Sequence, residues 1–179
     1  MIDVASIVKE SSVDGEGIRY VVFTQGCKHN CIGCHNPQTH EFNCGTQIEQ
    51  ADILRDMESN PLIDGITFSG GDPFFQADEC TILAKMCKEN GYSVWAYTGF
   101  IFDDFLNFKN NCKCNSWITN DMITFLNYID VVVDGPFIEK QKTLDAQFKG
   151  SYNQRIIDVK ESLENNKIIE YTLEQGVEL

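Results

Sequence analysis

The sequence predicts an α/β fold, a partial and open βα barrel built around a parallel sheet. Short β-branched and aromatic runs alternate with stretches that keep the 3-4 apolar spacing of amphipathic helices. Glycine-rich or polar loops follow the predicted strands. A complete barrel of eight βα units takes about 250 residues. A chain of 179 residues is therefore expected to form part of a barrel, open along one side, as a single domain over residues 1–179.

The first predicted strand, residues 18–24, ends just before Gly26 and a cysteine-rich loop. Thr46 is predicted to cap a helix over about 47–59. The apolar face of that helix would carry Ile48, Ala51, Leu54 and Met57.

The later elements continue the alternation. They are a strand over 65–68, a helix over about 77–90, a strand over 93–97, a helix near 120–128 and a strand over 131–133. Ligands bind at the carboxyl edge of parallel sheets, so we expect the loops that follow these strands to form the site. Residues 160–179 form a polar, acidic terminal segment to which no element is assigned.

The charge of the chain argues against two classes of partner. It holds 14 Lys and Arg against 27 Asp and Glu, a formal net charge of −13, which repels nucleic acid and anionic lipid. The N-terminus lacks a charged leader followed by a long apolar run, and no stretch approaches the roughly 18 to 20 apolar residues of a membrane span. We therefore expect a cytoplasmic protein with reduced thiols, and neither a nucleic-acid nor a membrane partner.

Three cysteines, Cys27, Cys31 and Cys34, have the spacing C-x-x-x-C-x-x-C in the loop after the first strand. A cubane iron–sulfur cluster has four irons that each need an outer ligand, and thiolates are the usual donors. Three thiolates leave one iron open, so the loop predicts a reactive [4Fe–4S] cluster. The alternative is a zinc knuckle whose fourth ligand is His35, His40 or Cys44.

The other cysteines have plainer interpretations. Cys80 and Cys87 lie on the apolar stripe of a predicted helix, where a free cysteine behaves as a small core hydrophobe. Cys44 is interpreted as incidental. Cys112 and Cys114 have polar neighbours, which leaves open either incidental thiols or a second site.

Several polar residues lie near these motifs. His29 and His40 are expected in surface loops. Arg19 either pairs with an acidic group near the cluster or is solvated at the end of a strand. Residues 153–155 form a polar turn or contact a partner or nucleotide.

A second motif, Ser69-Gly70-Gly71-Asp72-Pro73, follows the next predicted strand. Glycines admit close backbone approach, and carbonyl and carboxylate oxygens suit an ammonium group, which only donates. Together with the cysteine loop, this motif resembles the radical S-adenosylmethionine superfamily. The resemblance implies that the amino and carboxylate groups of S-adenosylmethionine chelate the fourth iron, and that Gly70, Gly71 and Asp72 hold its ammonium group.

Within that superfamily, residues 13–159 most resemble the activating components of anaerobic ribonucleoside-triphosphate reductase. The blocks that carry the resemblance are residues 13–19, 33–36, 95–99, 133–137 and 150–155. Gly33 stands where an aromatic residue often precedes the last cysteine, so the adenine contact is expected from the backbone of Gly33 and Cys34 and from His35. Asp134-Gly135-Pro136 lacks the lysine found nearby in pyruvate formate-lyase activators.

The resemblance implies a radical S-adenosylmethionine oxidoreductase that activates a glycyl-radical enzyme. An electron donor reduces the cluster, S-adenosylmethionine is cleaved, and a glycine of the large reductase subunit loses a hydrogen atom. No acid, base or nucleophile is expected beyond the cluster and cofactor. The alternatives are an activase of another glycyl-radical enzyme, a small-molecule radical enzyme such as a deazapurine synthase, and a non-catalytic iron–sulfur or zinc protein.

Overall fold

A computed structural model describes residues 1–173, which are built around one seven-stranded sheet. The strands are β1 (Ile2–Ser11), β2 (Arg19–Thr24), β3 (Thr46–Ile48), β4 (Gly65–Gly70), β5 (Ser93–Tyr97), β6 (Val131–Asp134) and β7 (Arg155–Asp158). Their order across the sheet is β3-β1-β2-β4-β5-β6-β7.

The centre of the sheet is parallel and its margins are antiparallel. Strands β2, β4, β5 and β6 run in the same direction, which confirms the predicted βα units. Strands β1, β3 and β7 pair antiparallel at the two sides, so the sheet as a whole is mixed. Within residues 1–173 the edge strands β3 and β7 do not pair with each other, which leaves the sheet open.

The five α-helices of residues 1–173 all contribute to a single core on one face of the sheet. They are α1 (Gln50–Glu58), α2 (Ala77–Glu89), α3 (Phe102–Lys109), α4 (Asn120–Leu126) and α5 (Val159–Asn165). Successive side chains of a strand point to opposite faces, and alternate residues such as Val22, Phe68 and Ala96 enter this core. The stripe predicted for α2 is confirmed, since its members Ala77, Cys80, Leu83, Ala84 and Cys87 are all buried.

The helix predicted over 47–59 begins later than expected. Thr46 does not cap it, because Thr46–Ile48 pairs with Ile2–Val4 at the edge of the sheet. The helix starts at Gln50, after the extended residue Glu49. The residues around Thr46 do not indicate this pairing with β1. The backbone pairing therefore prevails over the preference of Thr46 for a helix N-cap.

The opposite face of the sheet carries a smaller core that loops cover. It consists of Trp95, Val131, Val133 and Ile156, against which Phe148 and Tyr171 pack. The sequence did not predict β1, β3, β7, α3 or α5. Part of the predicted terminal segment is ordered as α5 and by a bridge between Ile157 and Glu170, and residues 174–179 lie outside the described residues.

Arg19 is fully buried at the amino ends of the parallel strands, so the prediction that it is solvated, or lies near the cysteine loop, was wrong. Its Nε donates to Thr67 Oγ1 at 3.1 Å and its NH1 to Ser93 Oγ at 2.6 Å. NH2 donates to the carbonyl oxygens of Ile66 and Ser93. Burial lowers the pKa of this guanidinium to about 10. One side chain thus joins β2, β4 and β5.

No helix among residues 1–173 is long and apolar enough to cross a membrane.

We expect Arg19→Lys to lower the free energy of unfolding by at least about 2 kcal/mol, because an ammonium cannot reproduce the fork of donors and leaves buried oxygens unsatisfied. Denaturant unfolding measures this. Arg55→Lys is the matched control, since the Arg55 side chain is 74% exposed, and it should change stability by no more than about 0.5 kcal/mol. Equal effects of the two substitutions would contradict the role given to Arg19.

Candidate functional site

A cavity of about 710 Å³ lies at the carboxyl ends of the parallel strands. The loops that follow β2, β4, β5 and β6 all contribute to its wall, as the sequence analysis expected. The wall residues from these loops include Cys27, Cys31, Cys34, His35, Ser69, Gly70, Gly71, Thr98, Gly99, Gly135 and Phe137. The fold therefore brings the cysteine loop and the glycine pair to one site.

The cysteine loop begins at a fixed backbone position. Gly26 has a φ of +100°, and a Cβ built on it would lie 2.5 Å from the Phe42 ring. Its amide donates to the carbonyl oxygen of Thr39 at 2.8 Å, and the amide of Cys27 donates to that of His40 at 3.0 Å. Only glycine fits this turn, which directs the following residues over the cavity.

The three thiols are half-buried and free. Burial, followed by the negative charge of Asp72, raises the pKa of the Cys27 thiol to about 12, and burial also raises the pKa of the Cys31 thiol. A metal that binds Cys27 and Cys31 must therefore displace their protons. Among residues 1–173, no three His, Cys, Asp or Glu side chains form a group that could hold a metal ion. A cubane binds its thiolates at separate irons and does not require them to meet at one point.

The glycine pair packs against the backbone of the cysteine loop. The amide of Gly71 donates to the carbonyl oxygen of Thr24 at 2.8 Å, and that of Asp72 donates to Gly26 at 3.0 Å. A Cβ built on Gly71 would lie 2.4 Å from the carbonyl oxygen of Gly26, and one on Gly70 would lie 2.5 Å from the amide nitrogen of Thr24. The sequence analysis expected a ligand to approach the backbone of these glycines closely. In the structure, the backbone of Thr24 and Gly26 makes that close approach.

Asp72 lies behind the cavity wall, with 1% of its surface exposed. Its Oδ2 accepts hydrogen bonds from Thr98 Oγ1 and the amide of Gly99, both at 2.9 Å, and lies within hydrogen-bond distance of His29 Nε2, also at 2.9 Å. Its Oδ1 accepts from the amide of Phe74 at 3.0 Å. The chain thus supplies donors to both carboxylate oxygens, and the contact of Asp72 with a cofactor ammonium stays a prediction.

His29 is not the surface residue that the sequence analysis expected, since only 11% of its side chain is exposed. Its ring packs edge-on against Phe100 at 4.7 Å between centroids, with Phe75 at 5.5 Å and Trp117 at 6.0 Å. Two of these rings, Phe75 and Phe100, follow the strand-end motifs Asp72-Pro73 and Thr98-Gly99 closely in the sequence, which was the available signal. His40 lines the cavity and is half-buried.

His35 and Gly33 lie where a cofactor contact was predicted. His35 is exposed on the cavity wall, with its ring centroid 4.6 Å from that of Phe137. Gly33 has a φ of +73°, and a Cβ there would lie 2.8 Å from the carboxylate of Glu139. The adenine contact assigned to these residues stays a prediction.

Residues 143–150, here called the covering loop, form one side of the cavity. The amide of Thr143 donates to the carbonyl oxygen of Gly150 at 3.1 Å, and Gln154 Oε1 accepts from the amide of Gly150 at 2.8 Å. Phe148 packs edge-on against Trp95 at 5.4 Å. The loop has no helical or strand period, so the sequence analysis did not find it.

Residues 153–155 hold this side of the cavity together, which matches the interpretation as a polar turn. Asn153 Nδ2 donates to the carbonyl oxygen of Pro136 at 2.8 Å, and Gln154 Nε2 donates to that of Gly135 at 3.0 Å. Arg155 pairs with the buried Asp134. A contact of these residues with a partner or nucleotide remains a prediction.

Comparisons with known proteins agree with this geometry. Residues 13–157 match the family described as a 4Fe–4S single cluster domain. Three similar proteins are each named anaerobic ribonucleoside-triphosphate reductase-activating protein. The Haemophilus influenzae protein is 30% identical over 156 residues, which cover 80% of this chain and 90% of the relative. The Vibrio cholerae protein is 30% identical over a match that covers 80% of this chain and 90% of the relative. The Enterobacteria phage T4 protein is 30% identical over a match that covers 80% of this chain and 86% of the relative.

We expect Gly71→Ala to lower the free energy of unfolding by about 1–3 kcal/mol, because its Cβ would overlap the backbone of Gly26 and separate β4 from the cysteine loop. Gly150→Ala is the control in a denaturant titration. The atom nearest to a Cβ built on Gly150 is His35 Cε1 at 3.3 Å, and it belongs to an exposed side chain that can move. A Gly71→Ala protein as stable as the control would show that the close approach is not required.

Proposed function

We propose that this chain, which belongs to the family of anaerobic ribonucleoside-triphosphate reductase-activating proteins, activates such a reductase by generating a glycyl radical on it. The observation that carries the proposal is the shared cavity of the cysteine loop and the glycine pair. The names of the relatives favour this reductase over another glycyl-radical enzyme or a small-molecule substrate. The match to a 4Fe–4S domain favours a cluster over zinc.

In this proposal Cys27, Cys31 and Cys34 hold a [4Fe–4S] cluster at the cavity. Their half-buried thiols supply the soft donors that iron in such clusters takes. S-adenosylmethionine would bind at the open iron. The cluster and this cofactor would supply the electron and the radical chemistry by which a glycine of the large reductase subunit loses a hydrogen atom.

The residues of this chain then bind and orient the cofactor. Gly70 and Gly71 present backbone to the cavity, and His35 with Phe137 offers an aromatic surface for adenine. A volume of about 710 Å³ lies within the range of sites that enclose small-molecule ligands. No side chain is assigned as acid or base, because the chain's part is to hold the reactants and exclude water.

The partial barrel belongs to the same proposal. All helices described in residues 1–173 join a core on one face of the sheet, as in a barrel, whereas doubly wound sheets carry helices on both faces. An open side would admit a protein segment that carries the target glycine. We further propose a cytoplasmic location and a separate electron donor, with neither nucleic acid nor membrane as a partner.

We expect Cys31→Ala, reconstituted anaerobically with iron and sulfide, to lose the cluster and to form no 5′-deoxyadenosine with a reductant and S-adenosylmethionine. The removed thiolate would leave a second iron without a protein ligand. Cys44→Ala is the control, since Cys44 is exposed, and it should keep both properties. If Cys44→Ala instead lost the metal, the zinc alternative that includes Cys44 would be favoured. Activity retained by Cys31→Ala would reject the proposed ligands.

We expect Leu144→Asp to raise the reductase concentration needed for half-maximal glycyl-radical formation by about tenfold or more. Leu144 is 91% exposed and lines the cavity, so a docked reductase segment would bury it, and a charge there would be desolvated. Leu62 is 68% exposed and away from the cavity wall, and Leu62→Asp is the control. Electron paramagnetic resonance of the radical gives the measurement. Equal responses of the two variants would remove Leu144 from the docking surface.

A further inference from the structure

We propose that His29 is a positioning residue that holds the cysteine loop against Asp72 and thereby sets the position of the cluster relative to S-adenosylmethionine. The inference rests on the proposed function for the identity of the two groups that are positioned. The contact itself is a property of the chain alone.

The direction of the hydrogen bond follows from its partners. His29 lies between Cys27 and Cys31, and its Nε2 is 2.9 Å from Asp72 Oδ2. An ionised carboxylate only accepts, so Nε2 carries the proton and donates it. The bond therefore joins the middle of the cysteine loop to the loop that follows β4.

The same carboxylate oxygen reaches a third loop. Asp72 Oδ2 also accepts from Thr98 Oγ1 and from the amide of Gly99, both at 2.9 Å and both after β5. A hydrogen bond to a charged acceptor in a buried site is stronger than its exposed counterpart. One atom thus fixes the relative positions of three loops that line the cavity.

The surroundings of the ring fit an imidazole closely. A Cβ built on Gly99 would lie 2.6 Å from His29 Cδ2, so the glycine allows the ring to approach the β5 loop. Phe75, Phe100 and Trp117 enclose the remaining sides. The ring is therefore held in one orientation with Nε2 directed at Asp72.

The backbone of the loop has few other attachments. Among the hydrogen bonds between backbone groups in residues 1–173, none joins residues 28–33 to another element, whereas the amide of Cys27 is bound to His40. The thiols of Cys27 and Cys31 therefore sit on a segment whose tip is held mainly by side chains. Loss of the His29 bond is expected to release that tip.

The test compares His29→Phe, which keeps an aromatic ring but loses the donor, with His29→Gln, whose amide can donate to Asp72. Tyr20→Phe is the matched control, because it removes one hydrogen bond to a carboxylate, from Tyr20 to Asp56 at 2.6 Å, away from the cavity. The first measurement is hydrogen exchange of the metal-free full chain, read by nuclear magnetic resonance at the amides of Cys27 and Asp72, which donate to the carbonyl oxygens of His40 and Gly26.

In this measurement, exchange of the Cys27 and Asp72 amides should be faster by at least about tenfold in His29→Phe, because losing the His29 bond would loosen the contact between the cysteine loop and the loop after β4. It should stay within about threefold of the wild type in His29→Gln and in Tyr20→Phe. Equal exchange in His29→Phe and the wild type would overturn the proposal. So would a uniform rise across the strands, or a His29→Gln protein that exchanges as fast as His29→Phe.

The second measurement uses the reconstituted holoprotein and titrates S-adenosylmethionine against the electron paramagnetic resonance spectrum of the reduced cluster. His29→Phe should need at least about tenfold more S-adenosylmethionine for the half-maximal spectral change, and His29→Gln should recover most of the affinity. An unchanged titration in His29→Phe would overturn the link to the cofactor. A wild-type chain that assembles no cluster would reject the proposed function instead, and the exchange comparison would still stand.

Discussion

The buried carboxylate of Asp72 is the interaction on which the site depends. Its four hydrogen bonds come from the cysteine loop, the loop after β5 and the amide of Phe74. Hydrogen bonds to charged groups contribute roughly 1.5–3 kcal/mol each, and a buried carboxylate without donors would be strongly unfavourable. The three loops must therefore adopt their positions together.

The parallel strands are held together at their amino ends and form the ligand site at their carboxyl ends. At the amino ends the guanidinium of Arg19 donates hydrogen bonds to carbonyl and hydroxyl oxygens of β4 and β5, which joins β2 to these two strands. At the carboxyl ends Gly70 and Gly71 have no side chains, so β4 approaches the start of the cysteine loop. The strands are thus held in register at one end while the other end stays open to a ligand.

The sequence predicted the features whose signals are local. The parallel strands, the buried stripe of α2 and the meeting of the cysteine loop with the glycine pair were all confirmed. Thr46 was misinterpreted because its partner, β1, lies more than 40 residues away. His29 was misinterpreted for the same reason, since its burial depends on Asp72 and on aromatic residues from other loops. Nothing in the loop's own composition encodes those contacts.

The central claim is that three thiolates leave one iron open and that S-adenosylmethionine fills it. Electron–nuclear double resonance of the reduced, reconstituted protein with S-adenosylmethionine carrying ¹⁵N in its amino group tests this most directly. The account predicts a ¹⁵N signal from the coupling of that nitrogen to the cluster, and a ¹⁴N signal in its place with unlabelled cofactor. A cluster that shows no such coupling when the cofactor is bound, or a protein that holds zinc in place of iron, would contradict it.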